Sequence, residues 1–247
     1  MAFLDFIINW VNNPASERGL VLLGQAGTGK SSIAHEIARL FDKMHRLTSS
    51  FIFHRREQSV QKSYHLLTTL VHNLADRYPS FKIALGRVVK DDTALRVGTC
   101  DCDVLFESLI LEPLKDQHIV GPILVIIDAL DESGGDTTGG IALHNFLAEN
   151  LKRLPSNFRV LITSRPEHAI VSALAGAPSV KVKYMNDAEL AAETNKDILS
   201  FLWKKLPSDT FGGYMEALAA KAEGLFQWAA VASQLVLDPP ERFDMMG

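Results

Sequence analysis

Apolar positions along this chain fall into two alternating patterns. Short runs at Leu20–Leu23, Phe51–Phe53, Ile123–Ile127, Val160–Thr163 and Val180–Tyr184 have the length and composition of β-strands. The third is apolar at every position, as expected for a strand covered on both faces of a parallel sheet. The fifth alternates Val180, Lys181, Val182, Lys183, which suits a sheet edge. Between these runs the spacing becomes helical. Ile33, Ile37, Leu40, Phe41 and Met44 form one such face, and Leu67, Leu70, Val71 and Leu74 a second. Phe106, Leu109 and Leu114 follow, then Leu143, Phe146, Leu147, Leu151 and Leu154. Regular exchange of strand and helix predicts a doubly wound α/β domain over residues 1–186.

After Asn186 the strand signals stop. Helical patterns surround Ile198–Leu206, Tyr214–Ala222 and Leu225–Leu237, punctuated by Pro207-Ser208-Asp209 and Gly212-Gly213. Residues 187–247 are therefore expected to form a small helical domain. Its tail, Asp238-Pro239-Pro240-Glu241, reads as the start of something the chain does not complete.

Composition adds few constraints. The 247 residues are 47% hydrophobic and 22% charged, ordinary for a globular chain able to bury a core. A net charge of −4 gives no electrostatic case for nucleic acid or anionic membrane, and the local pair Arg55-Arg56 does not change that. Cys100 and Cys102 lack a second Cys/His pair with zinc-site spacing, so they read as free thiols on a loop. So few cysteines fit a reducing compartment. The N-terminal run Phe3-Leu4-Asp5-Phe6-Ile7-Ile8 contains an acid and lacks a basic flank, unlike a secretory signal, and no apolar run is long enough to span a bilayer. A cytoplasmic location is expected.

The chemistry begins at Gly24-Gln25-Ala26-Gly27-Thr28-Gly29-Lys30-Ser31, which fits G-x-x-x-x-G-K-[ST] between an apolar strand and an amphipathic helix. Glycines let the backbone close around a phosphate with its N–H groups inward, and the helix N-terminus adds partial positive charge. Lys30 would reach the β- and γ-phosphates and Ser31 would ligate Mg²⁺, while Ser32 completes the expected nucleotide-binding set Gly24–Ser32. Asp128 ends the apolar strand Ile123–Ile127. A carboxylate there is costly unless paired or facing a metal, and it is expected to hold Mg²⁺ through water. In the following loop, Asp131 or Glu132 could orient an attacking water, or both could be solvated acids. Arg165, past the fourth strand, could sense the γ-phosphate or form an ion pair with those acids.

Taken together, Gln25–Ser31, Ile126-Ile127-Asp128-Ala129-Leu130-Asp131-Glu132 and Leu161-Ile162-Thr163-Ser164-Arg165-Pro166-Glu167 resemble a NACHT domain of the fungal NOD-like receptor type, related to the nephrocystin-like NTPase module. Phe51-Ile52-Phe53-His54-Arg55 resembles that group's second strand, and Leu109-Ile110-Leu111-Glu112-Pro113-Leu114 its helix before the Mg²⁺ strand. Gly224-Leu225-Phe226-Gln227-Trp228-Ala229 resembles the turn of its helical domain.

The resemblance implies a five-stranded parallel sheet of order 5-1-4-3-2. It also implies a switch that ADP holds closed and ATP opens toward self-association or other receptor subunits. It puts residues near Gly224–Phe226 on the adenine side. In such receptors an effector and a repeat sensor flank the switch, and the 23 residues before Gly24 would be too few for an effector.

Competing classes remain. A truncated module that binds nucleotide or partners without hydrolysis is one. A metabolic or kinase-like P-loop enzyme is another, although no acceptor-substrate motif supports it. A GTPase would carry N-K-x-D, and Asn195-Lys196-Asp197-Ile198 lacks the final acid and lies in a helical pattern.

Overall fold

The computed structural model of the chain describes residues 2–54, 62–91, 101–134 and 137–238. Five parallel strands form its centre: Gly19–Leu23 (β1), Leu47–Ile52 (β2), Ile123–Asp128 (β3), Phe158–Ser164 (β4) and Val180–Tyr184 (β5). They lie in the order β2-β3-β4-β1-β5, the expected order read from the opposite edge. β4 thus separates β1 from β3, and the register pairs Leu23 with Ser164 and Ile127 with Ile162.

Every residue of β1, β3 and β4 is buried, which explains the unbroken apolar run Ile123–Ile127 of β3. Alternate positions feed two separate cores. Leu20, Leu22, Leu124, Ile126 and Leu161 face one side, where the helices Ala2–Asn12 (α1) and Lys30–Lys43 (α2) contribute Ile7, Trp10, Ile37 and Phe41. Val21, Leu23, Val125, Ile127, Val160 and Ile162 face the other. That side is covered by Lys62–Arg77 (α3), Pro79–Asp91 (α4), Cys102–Phe106 (α5) and Thr138–Asn150 (α6). α5 continues through a π-helical turn at Glu107–Leu111 into Glu112–Leu114. His168–Leu174 (α7) leads into β5. Fully burying one such aliphatic side chain is worth about 1.5–3 kcal/mol, so these two layers hold the strand ends in place.

Beyond β5 come Ala188–Lys205 (α8), Ser208–Phe211 (α9), Met215–Lys221 (α10) and Phe226–Leu237 (α11). Ile198, Leu202, Leu206, Met215, Ala219, Ala222 and Ala229 make a third cluster that shares no residue with the sheet cores. Among the described residues no helix is long and apolar enough to cross a membrane.

Several elements depart from the sequence pattern. β2 starts at Leu47 rather than Phe51, because Thr48 and Ser49 are buried yet satisfied. Thr48 Oγ1 lies 3.2 Å from Tyr78 Oη, and Asn73 Nδ2 donates to Ser49 Oγ at 2.9 Å. β4 likewise begins two residues before Val160, running through the buried Arg159. The guanidinium of Arg159 donates to the carbonyls of Asn13, Ser156 and Phe158 at the amino end of the sheet. Cys102 is not on a loop. It opens α5 behind the N-cap Asp101, whose carboxylate accepts the N–H groups of Asp103 and Val104. Cys100, the pair Arg55-Arg56 and the tail from Pro239 lie outside the described residues.

Candidate functional site

The site grows from the carboxyl ends of β1, β3 and β4. β1 runs into Gly24, whose N–H donates to Ser164 O at 3.2 Å. A Cβ at Gly24 would lie 2.7 Å from Met185 and 2.8 Å from Thr28, so any larger residue would have to displace those side chains. Gly27 and Gly29 adopt φ of 82° and 89°, the left-handed turns that swing the loop over the start of α2. Gly29 is the N-cap of α2 and supplies no side-chain cap. The first amides of α2 therefore present orphan donors and positive dipole charge, the usual setting for an anion.

Lys30, first in α2, folds back over this loop. Its Nζ donates to Gly24 O at 2.6 Å and to Gln25 O at 2.9 Å. Burial lowers its pKa from the ordinary lysine value, and the nearby Arg165 adds to the shift, while Asp131 and Asp128 oppose it. Ser31, next in the helix, donates to Asp128 Oδ1 at 3.1 Å across to the end of β3. Thr163 Oγ1, on β4, donates to the same oxygen and accepts the N–H of Ala129 at 3.0 Å.

After Asp128 the chain turns sharply, with Ala129 in the left-handed region at φ 58°. A 3-10 turn over Leu130–Ser133 then buries Asp131, which accepts the backbone N–H of Arg165 at 3.0 Å. Arg165 Nε lies 3.2 Å from Asp131 Oδ2, and Ser164 Oγ donates to Oδ1 at 3.5 Å. Of the two readings of Arg165, the ion pair with a loop acid is the arrangement present. Asp131 is consequently not a solvated acid. Glu132 is half-buried beside it.

Two clefts flank the loop. One, of about 630 Å³, is lined by Lys30, Ser31, Ser32, Asp131, Glu132 and Arg165, with Phe226 and Gln227 opposite. The other, of about 710 Å³, lies between Gly24–Ala26 and a wall made by Tyr184, Met185, Asn195, Gly224 and Leu225. The start of α11 stands between them. Gln227 N donates to Gly27 O at 3.1 Å, and the Phe226 ring lies 3.3 Å from where a Cβ on Gly29 would be.

All residues singled out for nucleotide, metal and water thus converge on one region. Thr163, Ser164 and Gln227 join the site without having been expected there, and Phe226, expected on the adenine side, lines the cleft with Lys30 and Ser31. Two successive hydroxyls before Arg165, at the end of an apolar strand, are the signal available for Thr163 and Ser164.

Residues 5–165 match the family described as Nephrocystin 3, N-terminal. That span covers more than half of the 247 residues, and the chain belongs to this nephrocystin-like family. It contains β1 through β4 and every candidate phosphate-site residue from Gly24 to Arg165. No curated protein matches the chain.

Proposed function

We propose that this protein is a Mg²⁺–adenine nucleotide switch of the NACHT, NOD-like receptor type, hydrolysing ATP slowly. The observation that carries this reading is the meeting of Lys30, Ser31 and Asp128 under the uncapped N-terminus of α2. Such a cradle suits a polyphosphate. Amides of the Gly24–Gly29 loop and the Lys30 ammonium would take the phosphate oxygens. For Lys30 this means exchanging its two loop carbonyls for charged oxygens, a stronger pairing for a partly buried ammonium.

The donor set also fits Mg²⁺. A serine hydroxyl and a carboxylate already joined by a hydrogen bond are hard oxygen ligands suited to an ion that keeps several waters. Ser31 would hold it directly and Asp128 through water, and when bound it would neutralise charge on the phosphate oxygens. The less polar cleft beside Met185 and Leu225 has the size for a nucleoside. In this reading residues 187–247 are a helical domain that closes on the loop through Phe226 and Gln227. Opening that contact would expose surface for self-association or other receptor subunits. A cytoplasmic setting follows from the same reading.

One observation favours a second reading, a nucleotide-binding module without hydrolysis. Asp131 is already engaged by Arg165, and Ala129 stands directly after Asp128, where a water-polarising acid would be best held. Identifying the nucleotide released on heat denaturation, together with calorimetric titration of ADP and ATP, tests the binding. Purified protein with no bound nucleotide and no heat of binding would remove both readings. Single-turnover measurement with ATP separates them.

A further inference from the structure

We infer that Thr163 is the residue that aims Asp128 at the metal, acting from β4 without touching nucleotide; the inference rests on the Mg²⁺–nucleotide reading above. Thr163 has no exposed surface, although it borders the cleft lined by Lys30 and Asp131, and both contacts of its hydroxyl are to protein groups. Its hydroxyl has one proton and two lone pairs. Because the N–H of Ala129 donates to Oγ1 at 3.0 Å, a lone pair is committed on that side. The single proton goes to Asp128 Oδ1, the atom that also accepts from Ser31 at 3.1 Å. Two hydroxyls on different elements, β4 and α2, therefore converge on one carboxylate oxygen, and Oδ2 receives neither of them.

The consequence is orientational. A carboxylate ending a strand rotates about χ2 unless something holds it, and Thr163 fixes that torsion from inside the sheet. Outer partners of this kind tune metal affinity through the ligand they orient. The bond to Ala129 N–H ties the same hydroxyl to the left-handed turn that directs Asp131 toward Arg165. Thr163 is thus a positioning residue shared by the metal carboxylate and the loop acid.

The test follows Mg²⁺ dependence of binding instead of turnover. A fluorescent ADP analogue is titrated against wild type, Thr163→Val and Thr163→Ser, with and without Mg²⁺. Valine keeps the shape and removes both hydrogen bonds; serine keeps both bonds. The expected result is an apparent Mg²⁺ affinity about tenfold weaker in Thr163→Val. Mg²⁺-free binding should be unchanged, and Thr163→Ser should behave as wild type. Thermal melts show whether each variant folds. Should valine fail to fold, Thr163→Ala, whose smaller side chain leaves room for a water at the Ala129 amide, carries the same comparison. An unchanged Mg²⁺ midpoint in the folded hydroxyl-free variant overturns the inference. So does an equal loss with and without Mg²⁺, which would mark general damage to the site. Absence of any Mg²⁺-dependent binding by the wild type would instead overturn the nucleotide reading itself.

Discussion

Asp131 engages Arg165 twice, accepting its backbone N–H at 3.0 Å and facing its Nε at 3.2 Å. The two partners are unequal. The Asp131 side chain is 4% exposed, whereas that of Arg165 is 40% exposed. Asp131 needs the pair more than Arg165 does, so the arginine could turn toward a phosphate while the acid keeps its backbone partner.

That asymmetry predicts unequal costs. Arg165→Gln should destabilise the protein by less than about 1 kcal/mol, because an exposed guanidinium is screened and Asp131 retains the amide. Asp131→Ala should cost about 1.5–3 kcal/mol by removing a charged acceptor from buried donors. Urea unfolding of both variants measures the difference. Equal losses would mean that the side-chain pair, not the backbone bond, holds the loop.

Lys30 offers a prediction with a sign in pH. Lys30→Met should weaken ADP and ATP binding by about 2–3 kcal/mol, the loss of a charge-assisted contact. Calorimetry showing equal affinities would remove Lys30 from the site. Its folded pKa lies below the ordinary lysine value of 10.5, chiefly through burial. Between the lowered value and 10.5 the unfolded chain binds more protons, so this group's contribution to stability rises with pH across that window. Below the folded pKa the burial cost is present in full. Lys30→Met lacks it, and the stability difference, variant minus wild type, should shrink as pH rises toward 10.5. Paired denaturant titrations across that range read the trend.

The sheet and the turn geometry of the Gly24–Ser31 loop were legible because their signals are local. β3 is apolar at each of Ile123–Ile127, and Gly24–Ser31 states its own turn geometry. The first residues of β2 are not legible for a physical reason: Thr48 and Ser49 look solvated until Tyr78 and Asn73, far along the chain, arrive to satisfy them. α4 and α7 carry too few buried positions to declare a period, with Phe81 the fully buried residue of α4 and Ile170 and Leu174 those of α7. At the site, the sequence left Arg165 between phosphate sensing and pairing. Its choice of Asp131 depends on the left-handed turn at Ala129, which no glycine announces. The link between Gln227 and Gly27 spans most of the chain and had no local signal at all.

That link predicts how the site opens. Phe226→Ala should speed release of a fluorescent ADP analogue, since the ring packs over Gly29 beside the cleft that Lys30 and Ser31 line. Gly27→Ala should be far more damaging. Its φ of 82° disfavours a side chain, and the added Cβ would lie 2.9 Å from the Gln227 side chain. The left-handed strain alone is about 1–2 kcal/mol. A melting temperature for Gly27→Ala equal to wild type would show that α11 yields freely. Unchanged release from Phe226→Ala would show that the ring does not gate the loop.

The last prediction concerns hydrolysis. An acid that polarises water works best when held on a strand end, and the position after Asp128 is Ala129, in a left-handed conformation that resists larger side chains. The remaining acids sit further round the turn. Asp131 has both oxygens facing Arg165, so its largest effect on chemistry should come through that arginine. Glu132 lines the cleft beside Lys30 and Ser31 and, on the proposed function, is the acid best placed to meet a water there. It is carried on a 3-10 turn, and a misplacement of about 1 Å can cost about a hundredfold in rate. Hydrolysis should therefore be slow, and Glu132→Gln should slow it further by about 10²-fold or more, the usual share of a positioned base. Asp131→Asn should reduce the rate only as far as Arg165→Gln does, because both act on the same pair. ADP affinity should be retained in Glu132→Gln. Single-turnover hydrolysis with bound ATP decides the matter. A Glu132→Gln rate equal to wild type would take this acid out of the chemistry, and a rate too slow to detect in the wild type would favour the non-hydrolysing module.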